Sequence, residues 1–177
     1  MRSGNVERKT LETGISTEWC LDGSGSCEIN TGIGFFDHML TLLAKHSFSD
    51  LVMHAVGDLD VDSHHTVEDC GIVLGQALKE AVGDKAGMHR YGNCFLPMDE
   101  ALVQVCLDFS GRPYLVFDAD IPKVQLGIYD AEMTEEFSAL WQCRQASRYT
   151  SACFTARIRI TSSKRFSKAL PERWQRQ

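Results

Sequence analysis

The chain has 177 residues, 44% hydrophobic and 24% charged, with a formal net charge of −6, which is ordinary for a soluble globular protein of one domain or two small packed halves. No apolar run reaches membrane-spanning length and the start, MRSGNVERKT, is polar, so neither a membrane protein nor a secreted precursor is expected and the cytoplasm is the default compartment. The 7 cysteines are odd in number and lack close paired spacing, which points to free thiols and structural filler rather than a disulfide framework.

Residues 6–31 read as strands. Thr10, Glu12, Gly14, Ser16 and Glu18 alternate with less polar positions, and residues 21–25 supply a turn before a further strand over 26–30. Gly32 and Gly34 lead into a helix over 35–46 that carries His38 and His46. A short strand over 51–55 then feeds an acidic turn over 57–62.

The densest chemistry follows, in Asp60-Val-Asp-Ser-His64-His65-Thr-Val-Glu68-Asp69. Asp62 and Ser63 are placed to cap a helix that Val67, Ile72, Val73, Leu74 and Leu78 continue to about Lys79. Residues four apart share a helix face, so His64 is expected to pair with Glu68 and His65 with Asp69. The two histidines point about 100° apart, which suits one helix serving two metal ions. Imidazole with carboxylate favours manganese, iron or zinc over calcium or magnesium.

The pattern then partly repeats. Cys20-Leu21-Asp22-Gly-Ser24-Gly25 recurs as Cys106-Leu107-Asp108-Phe-Ser110-Gly111, and both copies follow one alternating strand and precede another. A duplicated βαβ-type unit is expected, which calls for a second His-His-x-x-Glu. None is printed, and every histidine lies at or before His89.

Phe36-Asp-His38-Met-Leu, Gly57-Asp-Leu-Asp-Val-Asp-Ser-His-His-Thr-Val-Glu-Asp, Gly71-Ile-x-Leu-Gly75-Gln-Ala-Leu, His89-Arg90-Tyr-Gly and Asp108-x-Ser-Gly-Arg112-Pro-Tyr are familiar in this order. Over residues 6 to about 137 the set closely resembles the imidazoleglycerol-phosphate dehydratases, the lyases of histidine biosynthesis. The resemblance implies an α+β fold of two duplicated βαβ-type halves (ribosomal protein S5 domain 2-like), each a sheet packed on helices. It also implies a 24-subunit homo-oligomer, two Mn2+ per site shared between subunits, and loss of water from a small phosphorylated imidazole. On that resemblance the metal ligands are His38, His64, His65 and Glu68, with Glu136 where members carry either histidine or glutamate. Glu12 and Glu68 are the catalytic carboxylates. Glu12, His38, His46, His64, His65, Arg90 and Arg112 meet the substrate, the two arginines near its phosphate.

These roles make chemical sense. Water loss requires a proton to leave an unactivated carbon and hydroxide to depart, and metal ions holding the substrate imidazole spread the negative charge that develops. A neighbouring carboxylate can carry the proton, and forked arginine donors suit phosphate.

The resemblance stops near residue 138. Family members continue after Glu-Phe-Phe with Ala-Gly-Ile-Thr-Leu-His-Ile and then Gly-x-Asn-x-His-His-Ile-Ile-Glu-Ala-x-Phe-Lys, whereas this chain reads Ser138-Ala-Leu-Trp-Gln-Cys-Arg and onward. Reading the underlying codons one base earlier recovers the expected segment, because each hidden codon takes its last two bases from the next printed residue. With permitted codons, Gln145 to Ser151 conceal Gly-Ile-Thr-Leu-His-Ile, Thr155 to Thr161 conceal Gly-Lys-Asn-Thr-His-His, Thr161 to Lys164 conceal Ile-Ile-Glu, and Lys164 to Lys168 conceal Ala-Val-Phe-Lys. A base missing near the codons for Phe137 and Ser138 is therefore expected. It also accounts for a charge break: residues 1–140 hold 9 Lys+Arg and 23 Asp+Glu, while residues 141–177 hold 9 Lys+Arg and only Glu172.

The expected organisation is a first half over 1–87, the start of a second over 88–137, and an aberrant basic tail over 138–177. Lacking the second metal motif, the printed chain is expected to be inactive or weak. Two rival readings are a nucleic-acid binder that uses Phe154, Phe166, Trp174 and the tail arginines, and another metal enzyme on the same scaffold. The tail holds no recognisable binding module, and the chain has no His-Glu-x-x-His or P-loop pattern. Neither a nucleic-acid partner nor a membrane is expected.

Overall fold

The computed structural model describes residues 1–99, 101–142 and 155–162. Strands β1 (Ser3–Lys9) and β2 (Thr13–Cys20) form an antiparallel hairpin in register Ser3↔Cys20 to Lys9↔Gly14. Alternation along β2 buries Ile15, Thr17 and Trp19 on one face, the period-2 signature of a half-buried strand. Strand β3 (Cys27–Asn30) leads to helix α1 (Gly34–Ser47), whose Phe36, Leu40 and Ala44 recur every fourth residue and are buried. Strand β4 (Asp50–Gly57) then returns parallel to β3 and antiparallel to β2, giving the sheet order β1-β2-β4-β3.

Helix α2 (His64–Val82) packs across β1 and β2 and runs three residues past the expected end. Its start is capped by one of the two expected residues. Asp62 Oδ1 accepts the His64 N–H at 2.7 Å, while Ser63, in the N-cap position, makes no side-chain cap bond. Val67, Cys70, Val73, Leu74 and Ala77 are fully buried against Ile15, Trp19 and Met53, and burial pushes the Cys70 thiol up out of the reactive range. The described cysteines 20, 27, 70, 94 and 106 are all free.

The second half repeats the topology. Strands β5 (Tyr91–Met98), β6 (Ala101–Asp108) and β7 (Tyr114–Asp118) are followed by the short pair β8 (Gln125–Leu126) and β9 (Tyr129–Asp130), helix α3 (Met133–Trp141) and strand β10 (Thr155–Ser162). The sheet order is β5-β6-β10-β7, with β10 antiparallel to β6 and parallel to β7. Strand β10 thus holds the place of β4, as the duplicated α+β fold requires. The repeat is offset from the sequence match: Cys20 ends the first hairpin and Asp108 the second, so structural equivalence runs two residues beyond the Cys20–Cys106 pairing.

Among the described residues, the second half joins the core of the first through β9 and α3. Tyr129 and Met133 belong to the same buried cluster as Phe36, Leu74 and Trp19, and Phe137 and Trp141 pack against it. Phe137 meets Phe36 edge-on at 5.2 Å, and Trp141 stacks on both Phe137 and Trp19. Helix α3 crosses residue 138 without a break, because Leu140 and Trp141 are apolar at positions that face α2.

Glycines on α2 let α3 come this close. A Cβ on Gly75 would lie 2.5 Å from the Trp141 carbonyl oxygen, and one on Gly71 would lie 3.2 Å from Phe137. Because the obstacle at Gly75 is backbone, Gly75→Ala is expected to lever α3 away and cost about 1–3 kcal/mol of stability despite the better helix propensity of alanine. Urea denaturation checks the sign, and a variant as stable as the parent would refute the close-approach role.

Candidate metal centre

Helix α2 begins with two exposed histidines, and α3 brings Glu136 to the first of them, His64. His64 Nε2 lies 2.8 Å from Glu136 Oε2 and 4.0 Å from Glu68 Oε1. His64, Glu68 and Glu136 each present one ligand atom within 4.8 Å of the others. The i, i+4 reading of His64 with Glu68 is realised, and Glu136, more than sixty residues away in sequence, joins it through the packing of α3 on α2.

The electrostatics favour a cation. Burial pushes the Glu68 carboxyl above its ordinary value, and contact with Glu136 pushes it further, against the pull of His64. Two carboxylates converging on one imidazole form a donor set suited to a borderline divalent ion, which would relieve their repulsion. A cavity of about 310 Å³ opens beside His64, lined by Leu59, Asp62, Gln125, Ile128 and Met133 among others.

His65 departs from expectation. Its Nδ1 lies 2.9 Å from Asp58 Oδ2, so its partner is the turn after β4 and not Asp69. The hydrogen bond with Asp58 raises the His65 pKa, and the charges of Asp58, Glu12 and Asp62 add to the effect. A carboxylate on Nδ1 leaves Nε2 as the ring nitrogen for a ligand, the arrangement common to metal-binding histidines. Asp58 Oδ1 is buried without a hydrogen-bond partner. Asp69 instead turns toward the strands, where Arg8 and Thr13 hold it.

The other expected residues sit apart from this triad. His38 is exposed on α1 and His46 is exposed in its last turn, outside the His64–Glu68–Glu136 group. Glu12 is exposed on the turn between β1 and β2. Arg90 donates to Asp108 at 2.7 and 3.3 Å and lies over the Tyr91 ring at 5.0 Å. The hydrogen bond from Arg90 holds the Asp108 carboxyl below its ordinary value, with the charges of Arg90, Arg112 and Lys85 assisting. Asp108, present in the repeat and in the family motif without a site role of its own, thus binds Arg90 and feels the charge of Arg112. Asp58 was missed, although it lies within the acidic turn that was read.

Duplicated α+β halves around a histidine–carboxylate cluster define a candidate metal-binding enzyme. Known proteins make the class specific. A family model described as imidazoleglycerol-phosphate dehydratase matches residues 31–154. The imidazoleglycerol-phosphate dehydratase of Acetivibrio thermocellus is 59% identical over 136 residues, which cover 77% of this chain and 70% of that protein. That of Dinoroseobacter shibae is 56% identical over 137 residues, with the same shares. The crystal structure of imidazoleglycerol-phosphate dehydratase from Staphylococcus aureus superposes with a TM-score of 0.75 at 38% identity, covering 90% of this chain and 84% of that one. The chain belongs to the imidazoleglycerol-phosphate dehydratase family, metal-dependent hydro-lyases of histidine biosynthesis, and dehydratase is its function. The relatives lend nothing to the expected loss of activity or to the two rival readings.

Proposed function

We propose that this chain removes water from imidazole glycerol phosphate, giving imidazole acetol phosphate, with manganese held by His64, Glu68 and Glu136. The observation that carries this reading is the convergence of those three donors from two helices. Bound there, the ions would polarise the substrate imidazole and ease loss of the carbon-bound proton and hydroxide. Glu12 and Glu68 carry the proton, and Arg90 and Arg112 draw in the phosphate with forked donors. His38, His46 and His65 then act from a neighbouring copy or at a second ion, in keeping with a 24-subunit homo-oligomer with two Mn2+ per site. No helix among the described residues is long and apolar enough to cross a membrane, and the proposed compartment is the cytoplasm. Purified chain supplied with Mn2+ and imidazole glycerol phosphate is expected to release the acetol product. No turnover in a preparation that is folded and loaded with metal would refute the assignment.

The proposed organisation keeps a first half over 1–87 and the start of a second over 88–137, with the segment from 138 read out of frame. Spacing within the fold supports this. In the first half only Phe48 and Ser49 separate α1 from β4. In the second, the shifted reading starts its strand-like Gly-Ile-Thr-Leu-His-Ile under Gln145, soon after α3 ends at Trp141.

A further inference from the structure

We propose that Asp69 is a positioning residue that ties the turn bearing Glu12 to the helix bearing His64 and Glu68. The inference rests on the reading of Glu12 as an acid/base group. Asp69 adjoins Glu68 in sequence but serves a different surface. Its Oδ1 accepts from Arg8 Nε at 3.1 Å and Arg8 Nη2 at 2.9 Å, and its Oδ2 accepts from Thr13 Oγ1 at 2.5 Å. The Asp69 side chain is only 13% exposed, so these bonds are shielded from water and from salt.

Thr13 passes the restraint into the turn. The Thr10 N–H donates to the Thr13 carbonyl at 2.8 Å, while the N–H groups of Thr13 and Glu12 both donate to Thr10 Oγ1, at 2.9 and 3.2 Å. The backbone at Glu12 is thereby fixed and its carboxylate left in solvent. Thr13 also pairs with Gly57 across the sheet, where a Cβ on Gly57 would strike Thr66 Oγ1 of α2 and touch Thr13 Cγ2. The turn, the end of β4 and the first turn of α2 therefore meet at one point. A simple strut between β1 and α2 would need Arg8 alone. The second oxygen of Asp69, committed to Thr13, is what reaches toward Glu12. Positioning of this kind matters because a displacement of about 1 Å at an acid/base group can cost ~10²-fold in rate.

Thr13→Val and Asp69→Asn test the tie, with Thr13→Ser as the conservative rescue. In amide hydrogen exchange, Glu12 and Thr13 are expected to lose protection about tenfold in both variants while Ile15 and Met53 keep theirs, and Thr13→Ser is expected to restore it. Parallel loss at all four amides would make Asp69 a general strut and overturn the proposal. In the assay, kcat is expected to fall about 10- to 100-fold with KM little changed. Unchanged kcat in Thr13→Val, where Glu12→Gln abolishes turnover, would also overturn it. If Glu12→Gln itself leaves turnover intact, the acid/base reading fails and the exchange pattern alone decides the tie.

Discussion

Inserting one base between the codons for Phe137 and Ser138 is expected to raise manganese affinity by more than the ~10–100-fold that outer-shell partners of a metal contribute, because it would supply ligands themselves. The reasoning runs through the duplication. In the first half, β4 is followed by Gly57, a short acidic turn and His64-His65-x-x-Glu68 at the head of α2. In the second half, β10 occupies the place of β4 between β6 and β7, yet the printed residues beyond it contain no histidine. The shifted reading places a strand, a glycine and His-His-Ile-Ile-Glu in that same order. Calorimetric titration of both chains with Mn2+ checks the effect, alongside resequencing across the codons for Glu132 to Leu170. Equal affinities, or wobble bases incompatible with the hidden segment, would sink the frame hypothesis.

Local signals made the first half legible. The alternation in β2, the fourfold spacing of Phe36, Leu40 and Ala44, and the polar head of α2 all arise from nearest neighbours, so they show in the sequence. The pairing of His64 with Glu68 is likewise a property of one helix. What sequence reasoning misplaced depends on direction in three dimensions. Asp69 lies four residues after His65, but one helix face cannot serve both the solvent and the β1–β2 hairpin, and the buried bonds to Arg8 and Thr13 win. Asp58 reaches His65 from a turn whose path no periodicity encodes. Glu136 was marked only through family resemblance. Its approach to His64 depends on Gly71 and Gly75, whose missing side chains seat Phe137 and Trp141. Packing between helices, carried by residues with no chemistry of their own, builds the site.

Replacing Glu68 by Gln should separate the metal-binding and structural consequences of crowding two carboxylates. In the metal-free protein, burial and the neighbouring Glu136 raise the Glu68 pKa above 4.5, so its charged form is disfavoured in the fold. A folded-state pKa above the unfolded value contributes stability at low pH, and that contribution is lost as pH rises through the folded value. The metal-free parent should therefore lose thermal stability between pH 4.5 and the raised Glu68 pKa, and Glu68→Gln should flatten that part of the profile. At pH 7 the order reverses once manganese is added. The parent gains stability in proportion to metal occupancy, while the variant, left with His64 and one carboxylate, gains little, and its turnover falls ~10²–10⁴-fold. Tm measured against pH, with and without Mn2+, reads both effects in one experiment. A Glu68→Gln protein that Mn2+ stabilises as strongly as the parent would remove Glu68 from the ligand set and leave the convergence of α2 and α3 as packing alone.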